Sequence, residues 1–233
     1  MSVSMHRHIF FTGFNEWLDA MYRFSYLSLP IVILSAFFSG TIMVIQASYY
    51  VTRFGAESMI GFAAGFVTLK EMGPLFIALM FSGRVGAHNT AEIATMNMTE
   101  QIDTLRILTL NPYHVLIWPR IIAMAFSLLC LTIIGDAFSL ISGALASSFL
   151  LKTSGIVFWQ GLTTQVHVKE LLEGLIKSFV FGFVIGTVSC TAGMRAEKNV
   201  KGIGVSVNHS VVYSALGIFL LDYLVSFILS LSI

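Results

Sequence analysis

Residues 69–120 read LKEMGPLFIALMFSGRVGAHNTAEIATMNMTEQIDTLRILTLNPYHVLIWPR. The stretch starts inside an apolar segment with the charged pair Lys70 and Glu71, and Gly73 and Pro74 follow directly. It then becomes polar, with a helix-like spacing of its apolar residues, before the next apolar run begins near its end. No other part of the sequence shows so long a polar helical pattern, so this stretch separates two strongly apolar parts of the chain.

The composition is that of an integral membrane protein. Of the 233 residues, 56% are hydrophobic and 11% are charged, whereas a soluble domain carries about 25% charged residues. The net charge of +1 argues against a nucleic-acid partner, which would require a basic surface. The two cysteines, Cys130 and Cys190, both lie in apolar runs and are expected to be buried free thiols.

Apolar runs long enough to cross a bilayer, which takes about 20 residues, recur along the chain. We expect transmembrane helices at residues 27–51, 59–83, 117–141, 171–194 and 205–233. Ahead of them, aromatic residues recur every three or four positions over residues 6–25, which predicts an amphipathic helix in the membrane interface. A flexible tail is the alternative for that segment. The expected fold is therefore an all-α membrane protein with one polytopic domain over residues 1–233.

The pair Lys70 and Glu71 lies about 17 Å into the second run at a rise of about 1.5 Å per residue. Ionisable side chains at this depth cost at least about 2.5 kcal/mol each unless they are paired or hydrated. Because Pro74 lacks a backbone donor, we expect a broken helix beside a polar cavity. The alternative is a structural ion pair between packed helices. Gln46, near the far end of the first span, is a polar residue that either lines a path or bonds a neighbouring helix.

Residues 86–110 are too polar to span a membrane. Their apolar residues recur mostly at three and four positions, while Glu92, Glu100 and Asp103 cover other faces. The pattern predicts an amphipathic helix that lies against the membrane and turns a charged face to water. A solvated helix without any partner fits the same pattern equally well.

The distribution of basic residues predicts the orientation, because cytoplasmic loops are enriched in lysine and arginine. The side that carries the N-terminus has Arg7, Arg23, Arg84, Arg106, Arg120, Arg195, Lys198 and Lys201. The other side has only Arg53, Lys152 and Lys169, with Lys177 inside the fourth span. The N-terminus and residues 86–110 are therefore expected in the cytoplasm, and the C-terminus on the outer side.

Signatures of several enzyme classes are absent from the sequence. It contains no GxxxxGK[ST], HExxH or GxSxG motif, and its histidines lack a ligand-like spacing for a metal. The layout fits a transporter driven by a separate cytoplasmic protein. Two alternatives stay open: a stand-alone ion-coupled carrier that uses Glu71, Asp136 and Asp222, and an intramembrane aspartyl enzyme built on the two aspartates.

A series of motifs in fixed order extends through the quoted stretch. They are EMGP at 71–74, GRVGA at 83–87, AEIATM at 91–96, TEQID at 99–103, NP at 111–112 and PR at 119–120. The sequence FSG at 38–40 with Gln46, FGAE at 54–57 and GIG at 202–204 continue the pattern. From about residue 27 onward the chain therefore resembles the MlaE-type (YrbE-type) permeases, the membrane subunits of Mce-associated ABC lipid transporters.

The resemblance implies a homodimer bound to a cytoplasmic ABC ATPase that supplies the site for ATP and Mg, with no cofactor in this chain. It further implies transport of phospholipid between the inner membrane of a Gram-negative-type bacterium and periplasmic Mce-domain carriers, in support of outer membrane asymmetry.

The resemblance also implies site residues. The lipid path would include Lys70, Glu71, Gly73, Pro74 and Gln46. Lys70 stands where the family usually has arginine, which keeps the charge but loses the bidentate fork. Residues 86–110 would be the coupling helix, and contact with the ATPase would involve Arg84, Glu92, Thr99, Glu100, Gln101 and Asp103.

Overall fold

The computed structural model describes residues 2–55, 59–150 and 155–231, with only the backbone described for residues 2–20, 150 and 230. The α-helices are α1 (Ser2–Arg53), α2 (Ile60–Val67), α3 (Gly73–Phe81), α4 (Ala87–Met98), α5 (Gln101–Ile107), α6 (Trp118–Leu150), α7 (Gly155–Gln165), α8 (Val168–Met194) and α9 (Val200–Leu231). Between them lie the π-helical turns π1 (Thr68–Met72), π2 (Ser82–Gly86) and π3 (Tyr113–Ile117). The predicted all-α fold is confirmed.

Five helical stretches within these residues are long and apolar enough to cross a membrane. They are Met21–Arg53, Ile60–Met98, Tyr113–Phe149, Val168–Met194 and Val200–Leu229. The number of spans agrees with the prediction, although their bounds differ in several places.

The N-terminal segment is not a separate helix. We predicted an interfacial helix at 6–25 and a span at 27–51, but the backbone is helical without interruption over Ser2–Arg53. Pro30 lies inside this helix, and no glycine or proline separates the two predicted segments. The predicted aromatic face over residues 6–20 falls on side chains outside those that the structure describes.

The second span also continues past both of its predicted interruptions. We expected a break at Pro74 and an end at 83, but the chain stays helical over Ile60–Met98. At π1 the Gly73 N–H donates to the carbonyl of Thr68, five residues back. Because Pro74 cannot donate a hydrogen bond, the wider π-helical turn lets the helix accommodate it without breaking.

The predicted coupling helix at 86–110 is divided in two. Its first half, α4, continues the second span, and a turn at Thr99 and Glu100 separates it from α5. Glu100 forms this turn in the left-handed region, with φ of 59°. The polar pattern that we interpreted as one helix therefore belongs to two elements with different surroundings.

The third span is longer than predicted. We placed it at 117–141, and α6 with π3 extends it to Tyr113–Phe149. The segment after it, between the third and fourth predicted spans, contains α7. A Cβ on Gly61 would overlap the Phe158 carbonyl oxygen of α7, so the glycines of α2 permit close contact with this helix.

Packing inside the bundle forms three layers. In the central layer, Val32, Phe81, Leu128, Phe181 and Ile218 join α1, α3, α6, α8 and α9. A second apolar cluster connects α1, α2, α6 and α7. The third cluster connects α4, α5, π3, α6 and α8, and we call this end of the bundle the α5 end.

Candidate functional site

Lys177 of α8 is the centre of a polar cluster towards the end of the bundle opposite to α5. Its side chain is 0% exposed, and its Nζ lies 2.5 Å from Oε2 of Glu71 and 3.0 Å from Oδ1 of Asp222. Nζ also donates to the Ser226 hydroxyl at 2.7 Å. The same hydroxyl donates to Oε1 of Glu71 at 3.2 Å. We call Lys177, Glu71, Asp222 and Ser226 the Lys177 cluster.

The members of the Lys177 cluster come from three helical segments but lie at a similar depth. Glu71 follows the start of α2 at Ile60, Lys177 follows the start of α8 at Val168, and Asp222 precedes the end of α9 at Leu231. A rise of about 1.5 Å per residue gives each a depth of roughly 14–17 Å. Charges near the middle of a membrane require partners, and each member of this cluster has one.

Lys70 pairs with Glu173 of α8, which lies one helical turn before Lys177. Its Nζ lies 3.1 Å from Oε2 of Glu173 and 5.3 Å from the centroid of the Phe66 ring. Lys169 Nζ approaches the other Glu173 oxygen at 3.9 Å. The adjacent residues Lys70 and Glu71 are therefore each paired with α8, which corresponds to the alternative of ion pairs between packed helices.

Glycines allow the π1 turn to approach its neighbours. A Cβ on Gly174 of α8 would overlap the Leu69 carbonyl oxygen and lie 3.1 Å from Cγ of Pro74. A Cβ on Gly73 would overlap Oδ1 of Asp136 on α6. The predicted path residues Gly73 and Pro74 thus lie beside the charged residues of π1.

Gln46, the remaining predicted path residue, lies on the exposed side of α1. Among the described residues, no hydrogen bond connects it to the Lys177 cluster. The structure therefore brings together Lys70, Glu71, Gly73 and Pro74 but not Gln46.

The two intramembrane aspartates have different neighbours. Asp222 is paired with Lys177, whereas Asp136 is 3% exposed and its Oδ1 has no hydrogen-bond partner in the described structure. No hydrogen bond joins the two carboxyl groups within the described ranges. An aspartyl dyad requires two carboxyl groups that share a proton, and this arrangement is not present between these residues.

Glu92, a predicted coupling residue, is turned into the bundle at the α5 end. Its Oε1 accepts a hydrogen bond from Arg120 at 3.1 Å, and Arg23 of α1 approaches the same oxygen at 3.8 Å. Arg120 also donates to Oδ1 of Asn89 at 3.0 Å, and the Asn89 amide donates to the Ser189 hydroxyl at 2.9 Å. These contacts hold α4 against α1, α6 and α8.

The exposed polar residues at this end belong to the turn after α4 and to α5. Lys198, from the connection between α8 and α9, lies 2.9 Å from Oδ2 of Asp103 and 3.6 Å from Oε1 of Glu100. Arg106 donates to Oδ1 of Asp103 at 3.0 Å. We call Lys198, Glu100, Asp103 and Arg106 the Lys198 cluster.

The electrostatic effects in the Lys198 cluster are mutual. The hydrogen bond and positive charge of Lys198 lower the pKa of Asp103 below its ordinary value. The hydrogen bond from Lys198 to Asp103 raises the pKa of the lysine. Both groups therefore keep their charges across the neutral pH range.

The other predicted coupling residues lie on the surface. Thr99 and Gln101 are exposed beside Glu100, whose side chain is 73% exposed. Arg84 is exposed on π2, within the helical stretch Ile60–Met98 that ends shortly before Thr99. The buried side chain of Ile102 anchors α5 in the third apolar cluster. Four of the six predicted residues (Thr99, Glu100, Gln101 and Asp103) therefore form one continuous segment.

Sequence reasoning missed Lys177 and Ser226. We placed Lys177 inside the fourth span when we counted basic residues and assigned it no role. The depth argument applied to Lys70 holds equally for Lys177, and it was the available signal. Ser226 gave no signal, since a serine in a membrane helix commonly bonds its own backbone.

The family model described as "Permease MlaE" matches residues 17–228. The chain belongs to the MlaE permease family. This MlaE-family permease is 36% identical over 223 residues to a "Probable ABC transporter permease protein" of Rickettsia felis, covering 94% of this chain and 80% of the relative. It is 31% identical over 202 residues to "Probable ABC transporter permease protein slr1045" of Synechocystis, covering 87% of this chain and 77% of that relative.

A plant relative has a name that refers to a glycolipid. The permease is 33% identical over 199 residues to "Protein TRIGALACTOSYLDIACYLGLYCEROL 1, chloroplastic" of Arabidopsis thaliana, covering 85% of this chain and 57% of that protein. With its five apolar helices and these relatives, the protein is a multi-pass membrane protein of the ABC transporter permease type.

Proposed function

We propose that this permease moves phospholipid between the inner membrane and periplasmic Mce-domain carriers, with ATP hydrolysed by a separate ABC ATPase. The observation that carries the proposal is the family match over residues 17–228. The plant relative, whose name refers to trigalactosyldiacylglycerol, supports a lipid cargo. In this proposal the chain is a transport subunit without its own nucleotide site, and ATP and Mg are bound by the partner.

We further propose a working unit of two copies of the chain in the inner membrane of a Gram-negative-type bacterium. The N-terminus and the α5 end would face the cytoplasm and the C-terminus the periplasm, in keeping with the excess of basic residues at that end. The Lys177 cluster, with Lys70 and Glu71, would lie beside the lipid path.

Docking of the ATPase is proposed for the exposed segment around Thr99, Glu100, Gln101 and Asp103. This segment is solvent-accessible, and the ion pairs that its carboxylates form with described residues are the exposed ones with Lys198 and Arg106. Glu92 would act differently, by holding α4 in place through Arg120 and Arg23. Movement of α4 would then pass directly along the continuous helical rod Ile60–Met98 to the charged turn π1.

The test combines assembly with transport. The double variant Glu100→Ala/Asp103→Ala is co-expressed with the ATPase and purified through a tag on the permease. We expect loss of bound ATPase and of ATP-dependent lipid transfer, with an unchanged melting temperature. The matched control Glu197→Ala removes an exposed carboxylate at the same end and should keep both. Intact assembly and transport in the double variant would refute the coupling assignment.

The cargo is tested independently by extracting the purified protein and analysing the bound lipid by mass spectrometry. Retained phospholipid supports the proposal, and its absence would contradict the lipid cargo. A stand-alone ion-coupled carrier would instead transport in liposomes under an ion gradient without ATP. Against that alternative, the carboxylates of Glu71 and Asp222 already share Lys177 as their ion-pair partner.

A further inference from the structure

A groove on the outer surface of the bundle lies between the start of the third span and the final turns of α8, near the α5 end. It has a volume of about 480 Å³. Arg106 of α5 and Arg195, directly after α8, line its part nearest the α5 end, which we call its mouth. Tyr113, Trp118, Phe183 and Thr187 are among its other lining residues. The groove includes no residue of the Lys177 cluster and none of Thr99, Glu100, Gln101 and Asp103, and it shares Arg106 with the Lys198 cluster.

The mouth of the groove is positively charged. Its lining residues include two arginines and no carboxylate. Nη1 of Arg106 donates to Oδ1 of Asp103 at 3.0 Å. Arg195 forms no ion pair with any of the described residues. Because Arg195 lies at the end of α8, its guanidinium is at the level expected for lipid headgroups.

The deeper part of the groove is apolar and aromatic. Phe183 precedes the end of α8 at Met194 by eleven residues, which corresponds to about 17 Å along the helix. The ring centroids of Trp118 and Phe183 lie 6.4 Å apart, and the two residues are 46% and 41% exposed. Thr187 does not make this wall polar, since its hydroxyl donates to the Phe183 carbonyl of its own helix.

The groove is thus positively charged at its mouth and apolar farther along α8. These two parts match the anionic headgroup and the acyl chain of a membrane lipid. Basic pockets between transmembrane helices on the cytoplasmic side bind anionic lipid headgroups. We propose that the groove is a binding site for one anionic phospholipid of the leaflet at the α5 end, with its phosphate at Arg195 and Arg106 and an acyl chain against Trp118 and Phe183. The site goes beyond the proposed transport function, because it lies outside the path assigned to the cargo.

Trp118 provides a local probe of this site. The protein contains three tryptophans, Trp17, Trp118 and Trp159, so the variant Trp17→Phe/Trp159→Phe leaves only the one in the groove. This protein is reconstituted in phosphatidylcholine vesicles that contain brominated phosphatidylglycerol or brominated phosphatidylcholine. Bromine on the acyl chains quenches the indole fluorescence in proportion to occupancy, so titration gives a relative binding constant for the two lipids.

We expect brominated phosphatidylglycerol to bind next to Trp118 more strongly than brominated phosphatidylcholine. Each arginine that contacts the anionic headgroup should contribute a factor of about five to this preference. Arg195→Gln should remove most of this preference. Lys201→Gln removes one positive charge from the first turn of α9, close to Arg195 in the sequence, but Lys201 does not line the groove, so the variant should preserve the preference. A protein that retains only Trp159, on α7 at the opposite end, should show none.

Three results would overturn the site: equal quenching by both lipids at Trp118, no change in Arg195→Gln, or the same loss in Lys201→Gln as in Arg195→Gln. Native mass spectrometry of Arg195→Gln with all tryptophans retained provides a second measurement if the single-tryptophan protein does not fold. Retention of phosphatidylglycerol at the wild-type level in that variant would also overturn the proposal.

Discussion

The Lys177 cluster and the Lys198 cluster have nearly the same composition and opposite surroundings. Each places one lysine between two carboxylates, Glu71 and Asp222 in the first and Glu100 and Asp103 in the second. The lysine side chain is 0% exposed in the first cluster and 47% exposed in the second. In water such contacts contribute little, whereas a buried charge that loses its partner is strongly destabilising.

The difference indicates distinct roles for similar chemistry. The Lys177 cluster joins π1, α8 and α9 within the spans, and its lysine is fully buried, so solvent cannot replace a partner that the lysine loses. The Lys198 cluster joins α5 to the connection between α8 and α9, where water or a partner protein can substitute for either charge. The first arrangement fixes helices, and the second can exchange its contacts when a partner binds.

The largest effect is expected from Lys177→Met. This change leaves Glu71 and Asp222 without their shared cation, and breaking a buried ion pair in this way costs roughly 3–5 kcal/mol. The purified variant in detergent should therefore melt far below the wild type or fail to accumulate in the membrane. Thermal unfolding followed by intrinsic fluorescence measures the difference.

Two further variants test the cause. Lys177→Met/Glu71→Gln/Asp222→Asn removes the charges together and should recover much of the lost stability, because apolar or neutral replacements of a whole buried cluster are tolerated. Lys169→Met removes a lysine that is 58% exposed on the same helix and should have little effect. Equal losses in Lys177→Met and Lys169→Met would show that burial is not the deciding factor.

A smaller effect is expected from Gly174→Ala, which adds a Cβ against the Leu69 carbonyl oxygen of π1. The overlap should separate α8 from the turn π1 and cost about 1–3 kcal/mol. Gly204→Ala is the control, because a Cβ there has open space, and its higher helix propensity should be neutral or stabilising by up to about 1 kcal/mol. Melting curves of the two variants should therefore shift in opposite directions or diverge clearly.

The sequence predicted the two clusters unequally. The length and hydropathy of the apolar runs were sufficient for five spans, since both depend only on the local sequence. The charges Lys70 and Glu71 were recognised from their depth, but their partners Lys177 and Glu173 come from α8, more than a hundred residues later. Which helices meet is decided by tertiary packing, which a single sequence does not display.

Segment boundaries failed at positions where local and tertiary signals conflict. Pro74 predicts a break, yet the π1 turn accommodates it. Glu92 resembles a solvated charge in a polar pattern, but Arg120 lies close enough to draw it inward. The exposure of Thr99 and Glu100 agrees with the predicted charged face, because an exposed segment depends on its own sequence more than on distant contacts, while their role in ATPase coupling stays a prediction.

Lys198→Gln should have little effect on stability at neutral pH. The pKa of Asp103 is lowered, so its contribution is present above its ordinary pKa and is lost as the pH falls through the lowered value. The pKa of Lys198 is raised, so its contribution is lost only as the pH rises through that raised value.

From about pH 5 to 9, both groups therefore stay charged in the folded and unfolded protein. Over this range the difference in melting temperature between the wild type and Lys198→Gln should be small and constant. Melting curves at several pH values measure it. A difference that changes sign or grows steeply between these limits would contradict the assigned electrostatics.

The smallest effect is expected from Asp136→Asn. Asp136 is buried, its Oδ1 has no hydrogen-bond partner among the described residues, and no cation approaches it there. Asparagine has nearly the same shape and cannot carry a charge, so the substitution should leave stability unchanged or slightly raised. Asp222→Asn has the same chemistry but removes one partner of Lys177, and it should be the more destabilising of the two. The pair also separates the functional hypotheses: an ion-coupled carrier that uses both aspartates would lose transport in each variant. The ABC permease should keep ATP-dependent transport in Asp136→Asn, so its loss at unchanged stability would favour the carrier.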